Sequence, residues 1–474
     1  MPLWFDKLIQ RFLARFLALI AAIYFEDIVV KGQENCGTEG PVILAGNHPN
    51  MLLDPVLVSL NSGIESGFAF WAKSTLFAGP AGKILRMIGA VPVHRHQDMV
   101  DPTKPVDNQK LFESSITSLE EGRALLLFPE GVSYTESRIQ PLKTGAARVV
   151  QAYEQKYPDR KIAIVPCGLN YIAKARWRSH VLLEFGKPLY LVRSIEDERD
   201  QVRDLTHRLE IAILNLTLNA ADMETLLDLR LSRQIYVDGR ELSPEQHIAL
   251  QRRFVQFYDQ SQKNEQVVAL RDQVREYRNK LSDLGIHDWQ VLLAGESETG
   301  MANIQATIFR KFIVSLSLLP FAFFGFLLGA PAFLIGRYLS KLSKFEEERS
   351  TAKFVTITII VPLQYFVIAA LLLAFAPLLY FAIFVISTPI VAFLVINYVS
   401  RERQTLRSLF QLLWLSLLLR NSKRALKDLI ERRKALKTAI GELASQFLTG
   451  RNEASILANA ARSRDVSHSY DRDL

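Results

Sequence analysis

His48 and Asp54 lie six positions apart, just after the apolar run Val42–Ala45 and the pair Gly46-Asn47. A neutral imidazole with a pKa of about 6.5 is the natural general base near neutral pH. A carboxylate on its other ring nitrogen fixes the tautomer and stabilises the imidazolium. Such a pair resembles a triad without its serine. It can take a proton directly from a substrate hydroxyl, which then attacks an activated carbonyl. Along one continuous helix, six steps of about 100° would turn Asp54 away from His48, so the histidine belongs in a loop before the first turn. Pro49 suits the first position of a following helix. A helix-capping role for the same residues remains the other reading.

Further segments carry chemistry by type. Gly89-Ala90-Val91-Pro92-Val93-His94-Arg95 reads as a strand ending in a fixed cation. Arginine suits bidentate phosphate recognition, and a plain surface arginine is the alternative. Phe128-Pro129-Glu130-Gly131 puts an acid and a glycine directly after an apolar strand. There the glycine allows close backbone approach and the carboxylate can bind hydroxyls or brace a neighbouring cation, unless the segment is a simple turn. Pro166 after Ile162–Val165 could simply end a strand.

The elements that must position these residues are short. Ile28–Val30, Val42–Ala45, Phe68–Trp71, Ala124–Phe128, Ile162–Val165 and Val181–Phe185 have strand length and alternate with helix-like stretches over 108–121 and 145–155. That alternation predicts an α/β fold with a mainly parallel central sheet flanked by helices, the chemistry sitting at loops beyond the strand ends. Five segments follow: 1–26, an amphipathic helix; 27–193, the α/β domain; 194–308, a charged helical segment; 309–400, membrane-embedded hairpins; 401–474, a basic amphipathic helix and a polar tail.

In residues 3–25 the apolar positions recur at spacings of three and four, with Lys7, Arg11 and Arg15 between them, the pattern of a helix lying in a membrane interface. Arg15 and the ending Glu26-Asp27 do not fit a cleavable signal. The stretch 312–336 is uncharged over 25 residues and broken by Pro320, Gly325, Gly329 and Pro331, and 354–399 is uncharged over 46. A hydrocarbon core of about 30 Å needs about 20 helical residues. Basic flanks on every side predict two hairpins, the second turning near Ala376-Pro377, with the α/β domain on the cytoplasmic side. The location would be the inner membrane in a bacterium or the endoplasmic reticulum in a eukaryote. The whole chain of 474 residues has 57 basic and 49 acidic side chains. Its basic segments border the apolar stretches and lack base-stacking platforms, so membrane lipid and not nucleic acid is the expected partner. Two cysteines, Cys36 and Cys167, make neither a disulfide framework nor a zinc spacing, and no metal is expected.

The order and identity of these segments resemble the glycerolipid acyltransferase family over about residues 27–190. Asn47-His48 with Asp54 matches the family's first motif, Gly89-x-x-x-Val93-x-Arg95 the second, Phe128-Pro129-Glu130-Gly131 the third, and Ile164-Val165-Pro166 the fourth. Pro141–Ala146 and Gly168-Leu169-Asn170-Tyr171 resemble the branch of fungal-type glycerol-3-phosphate/dihydroxyacetone-phosphate acyltransferases. Two departures stand out: five residues separate His48 from Asp54 where four are usual, and Val132-Ser133-Tyr134 replaces Thr-x-Ser or Thr-x-Arg.

The resemblance implies a membrane-bound enzyme moving a fatty acyl group from acyl-CoA or acyl-carrier protein to the sn-1 hydroxyl of glycerol 3-phosphate. His48 would be the base and Asp54 its orienter. Arg95 would hold the phosphate, with Lys143 a second candidate. Glu130 and Gly131 would position the glycerol, assisted by Ser133, while Asn47, Gly89 and Pro166 complete the substrate site. No cofactor or metal is implied. Lysophosphatidate as acceptor is the alternative, and a non-catalytic lipid-binding protein is the alternative of another class.

Overall fold

The structure, a computed structural model, describes residues 3–94, 109–295, 329–394 and 423–447 without positions 38, 135, 175, 195–196, 241 and 344, together with residues 309, 312, 313, 316 and 323. It divides into two compact units, Met1–Leu218 with Ser340–Phe354, and Asn219–Leu339 with Val355–Leu474.

In the first unit α1 (Leu3–Tyr24) leads into β1 (Phe25–Lys31), β2 (Val42–Gly46), α2 (Leu53–Asn61), β3 (Phe68–Lys73), α3 (Gly79–Met87) and β4 (Ala90–Val93). There follow α4 (Gln109–Glu120), β5 (Ala124–Leu127), α5 (Gly145–Lys156), β6 (Ala163–Tyr171), β7 (Ser179–Phe185) and α6 (Glu198–Leu216). One sheet takes the order β1-β7-β6-β2-β5-β3-β4. Every neighbouring pair is parallel except β6 with β7. This is the mainly parallel α/β sheet that the alternation predicts.

Its central strands are buried at every residue, the signature of a parallel sheet covered on both faces. Ile43, Ala45, Leu125 and Leu127 pack with Leu111 and Leu119 of α4, Val149 and Val150 of α5, and Leu205 and Leu209 of α6. Each fully buried leucine contributes about 1.5–3 kcal/mol. Helix α6 comes from the charged stretch after residue 193. Asp197 caps it by accepting from the Arg199 and Asp200 N–H groups, and its stripe Val202, Leu205, Leu209, Ile213 faces the core, so the sheet unit extends to Leu218.

Helix α1 forms as its periodicity predicts, with Ile20, Ala21 and Tyr24 buried and Phe12 and Leu19 exposed. Its final carbonyls, which lack intrahelical partners, accept from Trp177 Nε1 (at Ile23, 3.1 Å) and Arg178 Nη1 (at Ala22, 3.1 Å). Tyr24 stacks edge-on against Phe354.

Two motif residues turn out to serve the backbone. Pro166 does not end its strand: β6 continues to Tyr171, with Pro166 beside Ala45 of β2. The Ile164 N–H donates to Leu189, and the proline nitrogen two residues on faces that same edge, so the ladder to β2 loses nothing. Gly89, expected at the substrate, precedes β4 at the end of the sheet away from His48. Its φ is +93°, and a Cβ there would sit 2.1 Å from the Phe68 carbonyl oxygen. Glycine is required by that close approach, which corrects its assignment to substrate binding.

The second unit contains α7 (Met223–Val237), α8 (Pro244–Gln260), α9 (Glu265–Asp283), α10 (Asp288–Gly295) and the helix Lys423–Phe447. Starts are set by side chains: Asp222, Asn264, and a Ser243/Gln246 capping box. The part of the basic tail within Lys423–Phe447 is not spread on lipid, because Leu426, Leu429, Leu436 and Ile440 enter the helical core. Buried Arg433 donates to Asp288 (2.9 and 3.0 Å) and Asp238 (2.7 Å). The preceding basic segment 401–422 and the tail from 448 lie outside the described residues.

Among the described residues one helix, Glu348–Phe375, is long and apolar enough to cross a membrane, and Leu378–Leu394 is a shorter apolar helix. Ala376 between them is extended (φ −126°, ψ 159°), a break where the turn is expected. The π turn Thr356–Ile360 sits just before Pro362, whose ring and missing N–H displace the regular ladder. Most of the expected first hairpin lies outside the described residues; 329–342 is helical straight through Gly336, so the basic loop begins later than expected.

Gly89→Ala is expected to destabilise the sheet unit by more than about 1 kcal/mol, since it adds left-handed strain to a backbone clash. A thermal melt should fall by several degrees, and an unchanged melt would contradict the close approach.

Candidate active site

Strand β2 lies between β5 and β6, so the loop after it is flanked by two other chain segments. Asn47 fixes the start of that loop: its Nδ2 donates to the Leu169 carbonyl (3.0 Å) and its Oδ1 accepts from the Leu169 N–H (2.7 Å). Both ends of the amide are therefore tied to β6. The chain then passes His48 and Pro49, and α2 begins only at Leu53. Pro49 is thus a loop residue, while His48 does precede the first turn. Met51 adopts a left-handed φ of 43°, and its N–H donates to Ser133 Oγ (3.0 Å).

Asp54, in the first turn of α2, is fully buried. Its Oδ2 accepts from His48 Nδ1 (2.9 Å) and the Asn50 N–H (2.6 Å), and its Oδ1 accepts from the Tyr171 hydroxyl (2.6 Å). The helix N-terminus adds a favourable dipole for a carboxylate. Asp54 therefore ties down the turn before α2 and holds the histidine ring, while α2 itself, with Leu52 at its N-cap, starts without a side-chain cap. Burial, then the adjacent Asp54 charge, raises the Tyr171 pKa well above the ordinary phenol range, so Tyr171 stays a neutral donor.

With Nδ1 donating to Asp54, His48 carries its acceptor lone pair on Nε2. The ring is 20% exposed, and among the described residues nothing pairs with Nε2. One face stacks on Phe128, with centroids 4.1 Å apart and planes 12° from parallel. The imidazole is locked in plane and tautomer while one nitrogen stays accessible. That is the geometry of a general base.

Glu130 is buried beside this loop. Its Oε1 accepts from the His48 N–H (3.0 Å) and its Oε2 from the Gln140 N–H (2.8 Å). Burial pushes its pKa up to about 7, opposed by those two amide donors and reinforced by the Asp54 charge. Glu130 thus braces the backbone of His48. Ser133 holds Met51, in place of assisting Glu130. Gly131 (φ +75°) closes the turn from Phe128, and a Cβ on it would meet Lys143 Nζ at 2.5 Å. The exposed Lys143 ammonium accordingly lies over Gly131 at the rim of the site, and its backbone N–H donates to Pro129 (2.8 Å).

The structure brings together Asn47, His48, Asp54, Glu130, Gly131, Ser133 and Lys143. Pro166 sits lower in the sheet, and Arg95 lies outside the described residues. Residue-by-residue reasoning missed Phe128 as the stacking partner of His48, Tyr171 as a donor to Asp54 and Gln140 as an amide donor to Glu130. The polar pair Asn170-Tyr171 ending a nine-residue strand that is free of polar side chains from Ala163 to Pro166 was the one available signal for Tyr171.

With this geometry established, comparisons place the chain. Residues 27–170 match the acyltransferase family, and residues 229–348 match the glycerol-3-phosphate acyltransferase 2 C-terminal domain. The chain is similar to glycerol-3-phosphate O-acyltransferase 2 of Saccharomyces cerevisiae, 27% identical over 255 residues, which cover 52% of this chain and 34% of that one. It is also similar to an uncharacterized acyltransferase of Schizosaccharomyces pombe, 24% identical over 418 residues, covering 68% of this chain and 61% of that one. A 1-acyl-sn-glycerophosphate acyltransferase from Thermotoga maritima is a structural neighbour at 18% identity and a TM-score of 0.32, covering 44% of this chain and 81% of that one. The matches thus span 34% and 61% of the two curated relatives' lengths. Residues 27–170 thus carry an acyltransferase domain, and residues 229–348 a region similar to the C-terminal domain of glycerol-3-phosphate acyltransferase 2.

Proposed function

We propose that the protein transfers a fatty acyl group from an acyl thioester, acyl-CoA or acyl-carrier protein, to the sn-1 hydroxyl of glycerol 3-phosphate at a membrane surface. The observation that carries this reading is the accessible Nε2 of an imidazole whose other nitrogen is held by buried Asp54. Nε2 takes the hydroxyl proton as the oxygen attacks the thioester carbonyl. The tetrahedral intermediate collapses, the C–S bond breaks, and the imidazolium returns its proton to the leaving thiolate. Asp54 stabilises the imidazolium throughout. Lys143 at the rim is a cation available to the acceptor phosphate, and Arg95 is given the same role from its motif alone.

Two matched regions support the substrate class, both named for acyl transfer and one of them for glycerol 3-phosphate. The apolar helix Glu348–Phe375 and the exposed Phe12 and Leu19 of α1 support a membrane location, where an amphiphilic donor and product would partition. If the apolar helix spans the bilayer, the protein stays in the membrane pellet after an alkaline carbonate wash. Release into the supernatant would sink the integral-membrane part of the reading.

Purified protein given oleoyl-CoA and, separately, glycerol 3-phosphate, dihydroxyacetone phosphate or lysophosphatidate should acylate glycerol 3-phosphate best. His48→Ala should lower kcat by about 10²–10⁴-fold with the fold intact. Preference for lysophosphatidate would reassign the acceptor, and absence of histidine-dependent transfer to any of the three would remove the enzyme reading.

Glu130 supplies a pH test. Its folded pKa of about 7 stands above the ordinary carboxyl value, so the native state holds this proton more tightly than the unfolded chain. Its contribution to stability is fully present below about pH 4.5 and is lost as pH rises through about 7, at most about 3 kcal/mol. The melting temperature of the wild type minus that of Glu130→Gln should therefore fall across this window, and a flat difference would contradict the shift. At the same time ionisation strengthens the acceptor that holds the His48 N–H.

A further inference from the structure

We infer that Tyr171 is a positioning residue of this site, setting the orientation and proton affinity of His48 through Asp54. The inference rests on the acyl-transfer reading above and extends it to a buried side chain that acts through Asp54.

Asp54 has two oxygens and three donors. His48 Nδ1 and the Asn50 N–H share Oδ2, and among the described residues Tyr171 alone donates to Oδ1, at 2.6 Å. Without the hydroxyl, a fully buried carboxylate oxygen would be left bare, and the carboxylate could rotate about the bond that aims Oδ2 at the imidazole. Tyrosine–aspartate–histidine chains polarise one another in a low dielectric, so the loss at one end is felt at the other. The hydroxyl is also well fixed. Tyr171 closes β6 in register with Val181 of β7, and its ring packs on Phe25, 6.1 Å away, at the junction of α1 and β1. The phenol keeps its proton at every working pH because burial disfavours the phenolate.

The sign of the effect follows. Tyr171 stabilises ionised Asp54, which reduces the pull of the pair for an additional proton. Removing the hydroxyl raises the proton affinity of the Asp54–His48 pair and loosens the imidazole. The ionisable groups facing this pair are few among the described residues: Glu130 from the loop after β5, Lys143 over Gly131, and Tyr171 itself. A hydroxyl deletion leaves the first two in place.

The test uses the full chain and two independent readouts. Acyl transfer from oleoyl-CoA to glycerol 3-phosphate is followed from pH 5.5 to 9, and the rate of His48 carbethoxylation by diethyl pyrocarbonate is followed over the same range by peptide mapping. In Tyr171→Phe the His48 midpoint should rise by about half to one pH unit, moving the acidic limb of activity with it. Plateau kcat should fall about tenfold with the acceptor KM within about twofold. Phe25→Leu, which keeps the hydroxyl and loses packing, should lower the melting temperature and leave the midpoint unmoved.

Should Tyr171→Phe fail to fold, wild-type protein grown with 3-fluorotyrosine carries a stronger phenol donor, and its His48 midpoint should move down. A midpoint that shifts in neither protein, with transfer still dependent on His48, overturns the role of Tyr171 alone. Loss of histidine-dependent transfer in the wild type overturns the acyl-transfer reading and this inference together.

Discussion

A carboxylate with no exposed surface is the constraint around which the first unit is arranged. Burying an isolated charge costs several kcal/mol even after relaxation, about the whole stability of a small domain. Asp54 avoids that cost because three donors reach it from the loop after β2 and from the end of β6. None can be withdrawn cheaply, since each would leave charge uncompensated. The turn into α2, the far end of β6 and the histidine ring are therefore fixed by one interaction. The reactive geometry is a by-product of satisfying a buried ion.

A second buried acid works in the same manner on the opposite side of the loop. Glu130 takes the His48 and Gln140 amides, and Asn47 closes both of its polar ends on Leu169. His48 is thus held at its backbone by one carboxylate and at its ring by another, with Phe128 limiting rotation. Much of the motif set that looks like substrate machinery in the sequence acts on the protein's own backbone. Residues that fix a loop to within a fraction of an ångström are as necessary to a general base as its own nitrogen.

How much of this was legible depended on whether a signal was local. The strands β2, β5 and β6 were readable because buried parallel strands are continuous apolar runs, and the His48–Asp54 pair was readable because turn geometry limits what six residues can do. Gly89 misled. Sequence shows that a glycine is required, and only the Phe68 carbonyl beside it shows that backbone approach is the reason. The backbone partners of Ser133 and Glu130 were hidden for a related reason: a polar side chain in a motif does not announce an amide 82 residues away. The amphipathic stretch within Lys423–Phe447 was ambiguous on principle, because an apolar stripe facing lipid and one facing a helical core have the same period.

Sheet order explains why separate motifs meet at all. β2 has β5 on one side and β6 on the other, so the segments that follow all three emerge at one edge, within about 5 Å of their neighbours. β4 is three strands from β2, which puts its end about 14 Å from the histidine loop along the same edge. A base at one point and the end of a strand at that distance define a crevice along the sheet edge. Parallel strands supply that arrangement because all their C-terminal ends face one way, and a crevice of this kind is where open α/β sheets bind ligands. The reversed pair β7 and β1 occupies the opposite end of the sheet order, where it serves as the seat for α1 and leaves the crevice side to strands of a single direction.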